Sequence, residues 1–163
     1  MIKLEANLNH SDLKKLKSEL RNYKRQLKYA QQSCIRALAK YTKNNIQFYI
    51  EKSVNKEFST GLLSSSIRTE FDSTAWEWGR VFTNLYYAKY VEYGTGIEGE
   101  GTYQGNADIT YRGTPWSYYN ERLERIMLTY GEEAHNFMYL ALIDLKNNYK
   151  SICEQQFKKL GLK

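Results

Sequence analysis

The chain has 163 residues, 24 Lys+Arg against 18 Asp+Glu, 42% hydrophobic residues and 15% aromatic residues. That length suits one domain that buries about two-thirds of the surface its unfolded chain exposes, and the 15 Tyr, 6 Phe and 3 Trp argue against disorder. No apolar run approaches the roughly 20 residues of a membrane span, and Met1–Glu5 has no secretory apolar segment, so membrane-integral and signal-directed secreted classes are set aside.

Basicity is concentrated at the start: residues 1–56 carry 13 Lys/Arg against 4 Asp/Glu, residues 57–130 carry 6 against 10, and residues 131–163 carry 5 against 4. In that first segment Leu13, Leu16, Leu20, Tyr23, Leu27, Ala30, Cys34, Ala37 and Tyr41 recur three and four apart, an a/d-like seam over four heptads. Asn9 or Ser11 suits an N-cap, and Asp12 places an acid in the first turn. Beyond Tyr41 the apolar positions move to Ile46, Tyr49 and Ile50, which predicts a bend or a restart. No Gly or Pro precedes Gly61, so the pattern predicts a helix of about 45 residues or two in series. Lys14, Lys15, Lys17, Arg21, Lys24, Arg25 and Lys28 flank the seam. Long basic side chains commonly solvate such a face; the alternative is a nucleic-acid surface.

The period then changes to two. Ile67, Thr69 and Phe71 alternate with polar residues, Asp72-Ser73-Thr74 supplies a turn, and Trp76, Trp78, Arg80 and Phe82 alternate again, which predicts an antiparallel hairpin. Third and fourth strands are expected at Trp116–Tyr119 and Leu123–Thr129, turning at Asn120-Glu121, with a helix over 120–128 as the competing reading. Between the strand regions, residues 94–114 hold six of the ten glycines. That loop is too long for a plain connection, and no Gly-Lys-Ser/Thr follows to make it a phosphate cradle. Phe137, Met138, Ala141, Leu142, Leu145, Tyr149, Ile152 and Phe157 predict a closing helix, with Glu132-Glu133 at its start.

The expected fold is therefore α+β: a long N-terminal helix, an antiparallel β-sheet of three to four strands with a short helix and a long Gly-rich loop, and a C-terminal helix packing on the sheet. One domain spans 1–163, made of a helical segment (1–57), the sheet with its loop (58–131) and the last helix (132–160). Cys34 and Cys153 lie outside metal and redox spacings and read as small hydrophobes without a disulfide. His10 and His135 are isolated, Ser64, Ser65 and Ser66 have no histidine near them in sequence, and no spacing selects Glu70, Glu77 and Glu92 as an acid–base set. Neither an enzymatic role, nor a metal, nor a cofactor is expected.

Two stretches stand out. Thr60-Gly61-Leu62-Leu63-Ser64-Ser65-Ser66-Ile67 joins the long helix to the first strand. Asn84-Leu85-Tyr86-Tyr87-Ala88-Lys89-Tyr90-Val91-Glu92-Tyr93-Gly94-Thr95-Gly96 reads as a short helix closed by Gly94 in the left-handed conformation. Glu92 falls in the last turn, where its charge opposes the helix dipole; a hydrogen-bonded loop or a basic partner must favour it.

This pair of motifs resembles the tailed-phage head–tail joining family of neck, tail-completion or minor tail proteins. The matching residues are Gly61, Leu63, Ser66 and Ile67, then Asn84, Tyr87, Ala88, Val91, Glu92, Tyr93, Gly94 and Thr95, and finally Phe137, Met138, Ala141 and Leu142. Their order agrees over about residues 5–155. The chain departs in having Glu133-Ala134-His135-Asn136 where prolines often precede the final helix, and Tyr93 where Phe is usual. The resemblance implies a structural virion protein, without enzymatic activity, forming a homo-oligomer, commonly a six-fold ring, between head connector and tail-tube or tail-terminator proteins. Genome DNA would pass through without specific binding, and no membrane is involved. It would reside at the head–tail junction of the virion, after assembly in the bacterial host cytoplasm. The first two groups of motif residues, and the nine tyrosines from Tyr86 to Tyr130, are the expected subunit interface.

Overall fold

Asn9 begins the first helix as its residue type suggests. Its Oδ1 accepts the backbone N–H of Asp12 at 2.9 Å and the Ser11 hydroxyl at 2.8 Å, so the side chain satisfies a donor of the first turn. In the computed structural model, which describes residues 9–53, 60–121 and 123–161, this helix, α1, runs without interruption over His10–Ser53. The shift of apolar positions past Tyr41 thus marks a change of packing partner along one continuous helix, and no restart occurs.

The remaining elements are α2 (Leu62–Ser65), β1 (Arg68–Phe71), β2 (Gly79–Phe82), α3 (Ala88–Tyr93), α4 (Gly96–Gly99), β3 (Trp116–Asn120), β4 (Arg125–Thr129), β5 (Gly131–Glu132) and α5 (Phe137–Lys159). The α+β composition and the two hairpins match expectation. The strands, however, form two separate two-stranded sheets, β1–β2 and β3–β4. Helix α5 has α1 as its main partner, and the β1–β2 hairpin packs on α1 as well. A single sheet needs adjacent edges, and among the described strands no edge of one hairpin pairs with an edge of the other.

In the first hairpin Arg68 faces Phe82 and Phe71 faces Gly79. Phe71 stacks on Trp76 at 5.7 Å, and the Arg36 guanidinium lies 4.5 Å from the Trp76 ring centre, which fixes the hairpin against α1. Trp76 takes positive φ (58°) in the turn, so the second strand starts three residues later than alternation predicts. The second hairpin pairs Trp116 with Thr129 through Asn120 with Arg125, which removes the helical reading of 120–128. The last helix starts at Phe137, so Glu132 lies in β5 and caps nothing.

The core joins both ends of the chain. Ile46 and Ile50 of α1 meet Leu63, Ile67, Ala88, Phe137 and Ala141, all buried. Farther along α1, the Cys34 Sγ lies 3.7 Å from the Cys153 carbonyl oxygen, and the Ser33 hydroxyl donates to Gln156 at 2.9 Å. Both cysteines are free thiols. Burial pushes the Cys34 thiol up to about 11, which suits an inert packing residue. Among the described residues, no helix is long and apolar enough to cross a membrane.

The Asp72 carboxylate organises the first turn. It accepts the Thr74 N–H at 2.9 Å and hydroxyl at 2.7 Å, and the N–H groups of Ala75 and Glu77 at 3.1 and 3.3 Å. Led by the Thr74 N–H, these donors hold its pKa down at about 2. A depressed carboxyl supports the turn above its ordinary titration range, and that support is lost as pH falls through about 2. Carboxyl-detected NMR should find Asp72 titrating near this value, with Thr74→Val raising it; an ordinary titration in the wild-type chain would contradict the turn's geometry.

Candidate functional site

Helix α3 ends against the start of α5, and each end completes the other. A helix terminus leaves backbone groups without intrahelical partners. The free carbonyls of Val91 and Glu92 accept the N–H groups of His135 and Asn136 at 2.9 and 3.2 Å. In return the Glu92 carboxylate, only 3% exposed, accepts the Met138 N–H at 2.8 Å and the Tyr139 N–H at 3.0 Å. This explains the acid that was misplaced in its own helix: its charge meets the positive end of α5, 46 residues on. Burial raises its pKa, while the N–H groups of Met138, Tyr139 and Phe137 and the charge of His135 favour ionisation.

The glycine loop is tied to this junction. Asn136, in the left-handed conformation at φ 55°, accepts the Gln104 N–H at 2.7 Å and donates to the carbonyls of Ala134 and Thr102 at 2.9 and 3.3 Å. The Thr102 hydroxyl donates to the Gly99 carbonyl and accepts the Ala134 N–H, both at 2.8 Å. Thr95 and Gly96 bridge antiparallel to Glu132 and Gly131. Gly94 has φ 77° and ψ 175°, a region almost confined to glycine, and not the left-handed helical conformation expected. A Cβ there would lie 2.7 Å from the Glu132 carbonyl oxygen and 2.8 Å from the Ala134 nitrogen.

The expected interface residues sort by depth. Leu63, Ile67, Ala88, Glu92 and Gly94 are buried; Ser66, Tyr87, Val91, Tyr93 and Thr95 are partly buried; Gly61 and Asn84 are exposed. Gly61 turns the chain with φ 71°. The Ser66 hydroxyl donates to the Leu63 carbonyl and lies 2.7 Å from the hydroxyl of Thr83, the residue just before the second motif. Together with Phe137 and Ala141, these motifs build a shared core. Their buried members pack within the chain.

The tyrosines divide likewise. Tyr93, Tyr103 and Tyr139 form a chain of edge-on rings at 4.8 and 5.8 Å, and the Tyr111 hydroxyl donates to the Tyr93 carbonyl at 2.8 Å. Tyr86, Tyr90, Tyr118, Tyr119 and Tyr130 are exposed, Tyr86 by 81%. A cleft of about 550 Å³ runs between α3 and the loop, lined in part by Tyr90, Tyr93, Ile109, Tyr111, Arg112 and Trp116. Beyond it stands the β3–β4 hairpin. Its Ser117/Leu128 and Tyr119/Ile126 pairs share one face, and Tyr119, Leu128 and Ile126 are 59, 59 and 74% exposed. Two-stranded hairpins are marginal alone, and this one turns its apolar face to solvent.

Comparison of the chain with protein-family models, curated proteins and solved structures finds no match. Asn136, Thr102 and Gly131 were missed in sequence. An Asn just before the apolar run of α5 is a recognisable cap signal, but Thr102 and Gly131 matter only through backbone brought from elsewhere.

Glu92→Ala should destabilise the chain by about 3 kcal/mol in urea unfolding, since two N–H donors at the start of α5 lose their acceptor. A loss in assembly with unchanged unfolding would contradict this placement. Gly94→Val should also be destabilising, from strained φ and the clash with residues 132–134; a wild-type melting temperature would refute the close approach.

Proposed function

We propose that this protein is a structural component of a tailed-phage virion, assembling as a homo-oligomeric ring, most simply six-fold, at the head–tail junction. There it joins or completes the tail between the head connector and the tail-tube or tail-terminator proteins. Its role is mechanical, without catalysis, and genome DNA passes without specific binding. Assembly takes place in the bacterial host cytoplasm. The ordered motifs around Gly61, Tyr87–Thr95 and Phe137 support the reading through the resemblance.

The observation that carries the assembly part is the open face of Tyr119, Ile126 and Leu128. A rigid junction at Glu92 anchors the surrounding loop, while this hairpin offers apolar surface that a neighbour could bury. Copurification with the neighbouring tail proteins and electron microscopy should reveal rings and incorporation into virions. Capsid, connector and tail-tube genes beside this one would add support. Ile126→Asp should abolish rings while leaving thermal unfolding unchanged; a chain that stays monomeric and never enters virions would overturn the proposal.

The exposed basic start of α1 favours a second reading, a nucleic-acid surface. Several phosphate contacts require affinity to fall steeply with salt in filter binding, and negligible binding at low salt would remove it.

A further inference from the structure

The heptad seam of α1 has two fates. From Ala30 onward it is covered within the chain, with Ala30 and Cys34 buried, Ala37 partly buried and α5 alongside. Before Ala30 the same seam continues open to solvent: Leu13 and Leu20 are each 48% exposed and Leu27 is 40% exposed. Leu13, Leu16 and Leu20 line an apolar groove edged by Lys17, Arg21 and Lys24. A seam of this kind is completed by another helix.

The flanking charges select which helix. With Leu13, Leu20 and Leu27 at a and Leu16 and Tyr23 at d, the g positions are Asp12, Glu19 and Gln26, and the e positions are Lys17, Lys24 and Gln31. In a parallel, in-register pair, g meets the e position five residues on in the other helix. That sets Asp12 against Lys17 and Glu19 against Lys24, both complementary, while Gln31 is already held by the Trp76 carbonyl of its own chain at 3.0 Å. An antiparallel pair sets e against e and g against g, bringing lysines together and acids together.

We infer that residues 12–27 of α1 form a parallel, in-register coiled coil with the same segment of further copies of this chain. The helix is already nucleated by its packed second half, so association need not meet the cost of starting it. The g-to-e pairing repeats around any closed cyclic bundle, two-fold or higher. The inference thus deepens the ring reading and rests on it only for the number of copies.

Sedimentation of the full chain at low salt tests it. Glu19→Lys and Lys24→Glu should each weaken self-association roughly threefold to tenfold, because an attractive pair becomes repulsive. The double swap Glu19→Lys/Lys24→Glu should restore it. Leu20→Asp should abolish seam pairing with circular dichroism and unfolding unchanged, Leu20 being exposed. Monomeric wild type, association indifferent to the single swaps, or a double swap worse than either single overturns the inference. Rings that survive Leu20→Asp unaltered also overturn it while leaving the head–tail reading intact. Seam pairing in a chain that never enters virions does the reverse.

Discussion

The fold turns on one two-way exchange of hydrogen bonds. Helix α3 is only six residues long, too short to stand by cooperativity of its own. It persists because its last carbonyls receive N–H groups from residues 135 and 136, while its Glu92 side chain holds the first N–H groups of α5. The desolvation of a buried carboxylate is offset only where donors and a favourable helix dipole converge on it. That requirement fixes the relative position of two segments far apart in sequence.

Much of the middle of the chain follows from this junction. Once residues 134–136 lie against α3, Gly94, Gly96 and Gly131 can bring two backbones to the distance of a β-bridge. Thr102 and Asn136 then tie down the loop that composition left without periodicity. The result is a long connection whose first part is bonded through its backbone and whose hairpin carries apolar side chains outward. Helix α1 repeats the arrangement on a larger scale, with one half of its seam satisfied by α5 and the other half open.

Local pattern was a good guide where a segment's structure depended on its own side chains. The Asn9 cap, the three-four spacing of α1, the Asp72 turn and the alternation of both hairpins were legible because each acts over a few residues. The candidate site was legible in location more than in role. Glu92 drew notice because an acid is unfavourable at the end of its own helix, yet its partner lay outside the local sequence. Gly94 was rightly assigned positive φ but not its extended ψ, which is set by residues 132–134. The expected sheet is present as two separate two-stranded hairpins, since alternation identifies a strand's faces without saying which strand is its neighbour.

By itself, the sequence determined the elements: where the chain is helical, where it alternates, where it turns and where charge collects. These are consequences of steric preference, capping and side-chain period, all local. Only the tertiary structure decided that Glu92 serves α5, that the two motifs share one core, and that the glycine loop is bonded backbone to backbone. It also decided which leucines of one continuous seam are covered and which remain open. Burial and long-range hydrogen bonding depend on what else arrives at a surface, and a residue's own neighbours in sequence carry no record of that arrival.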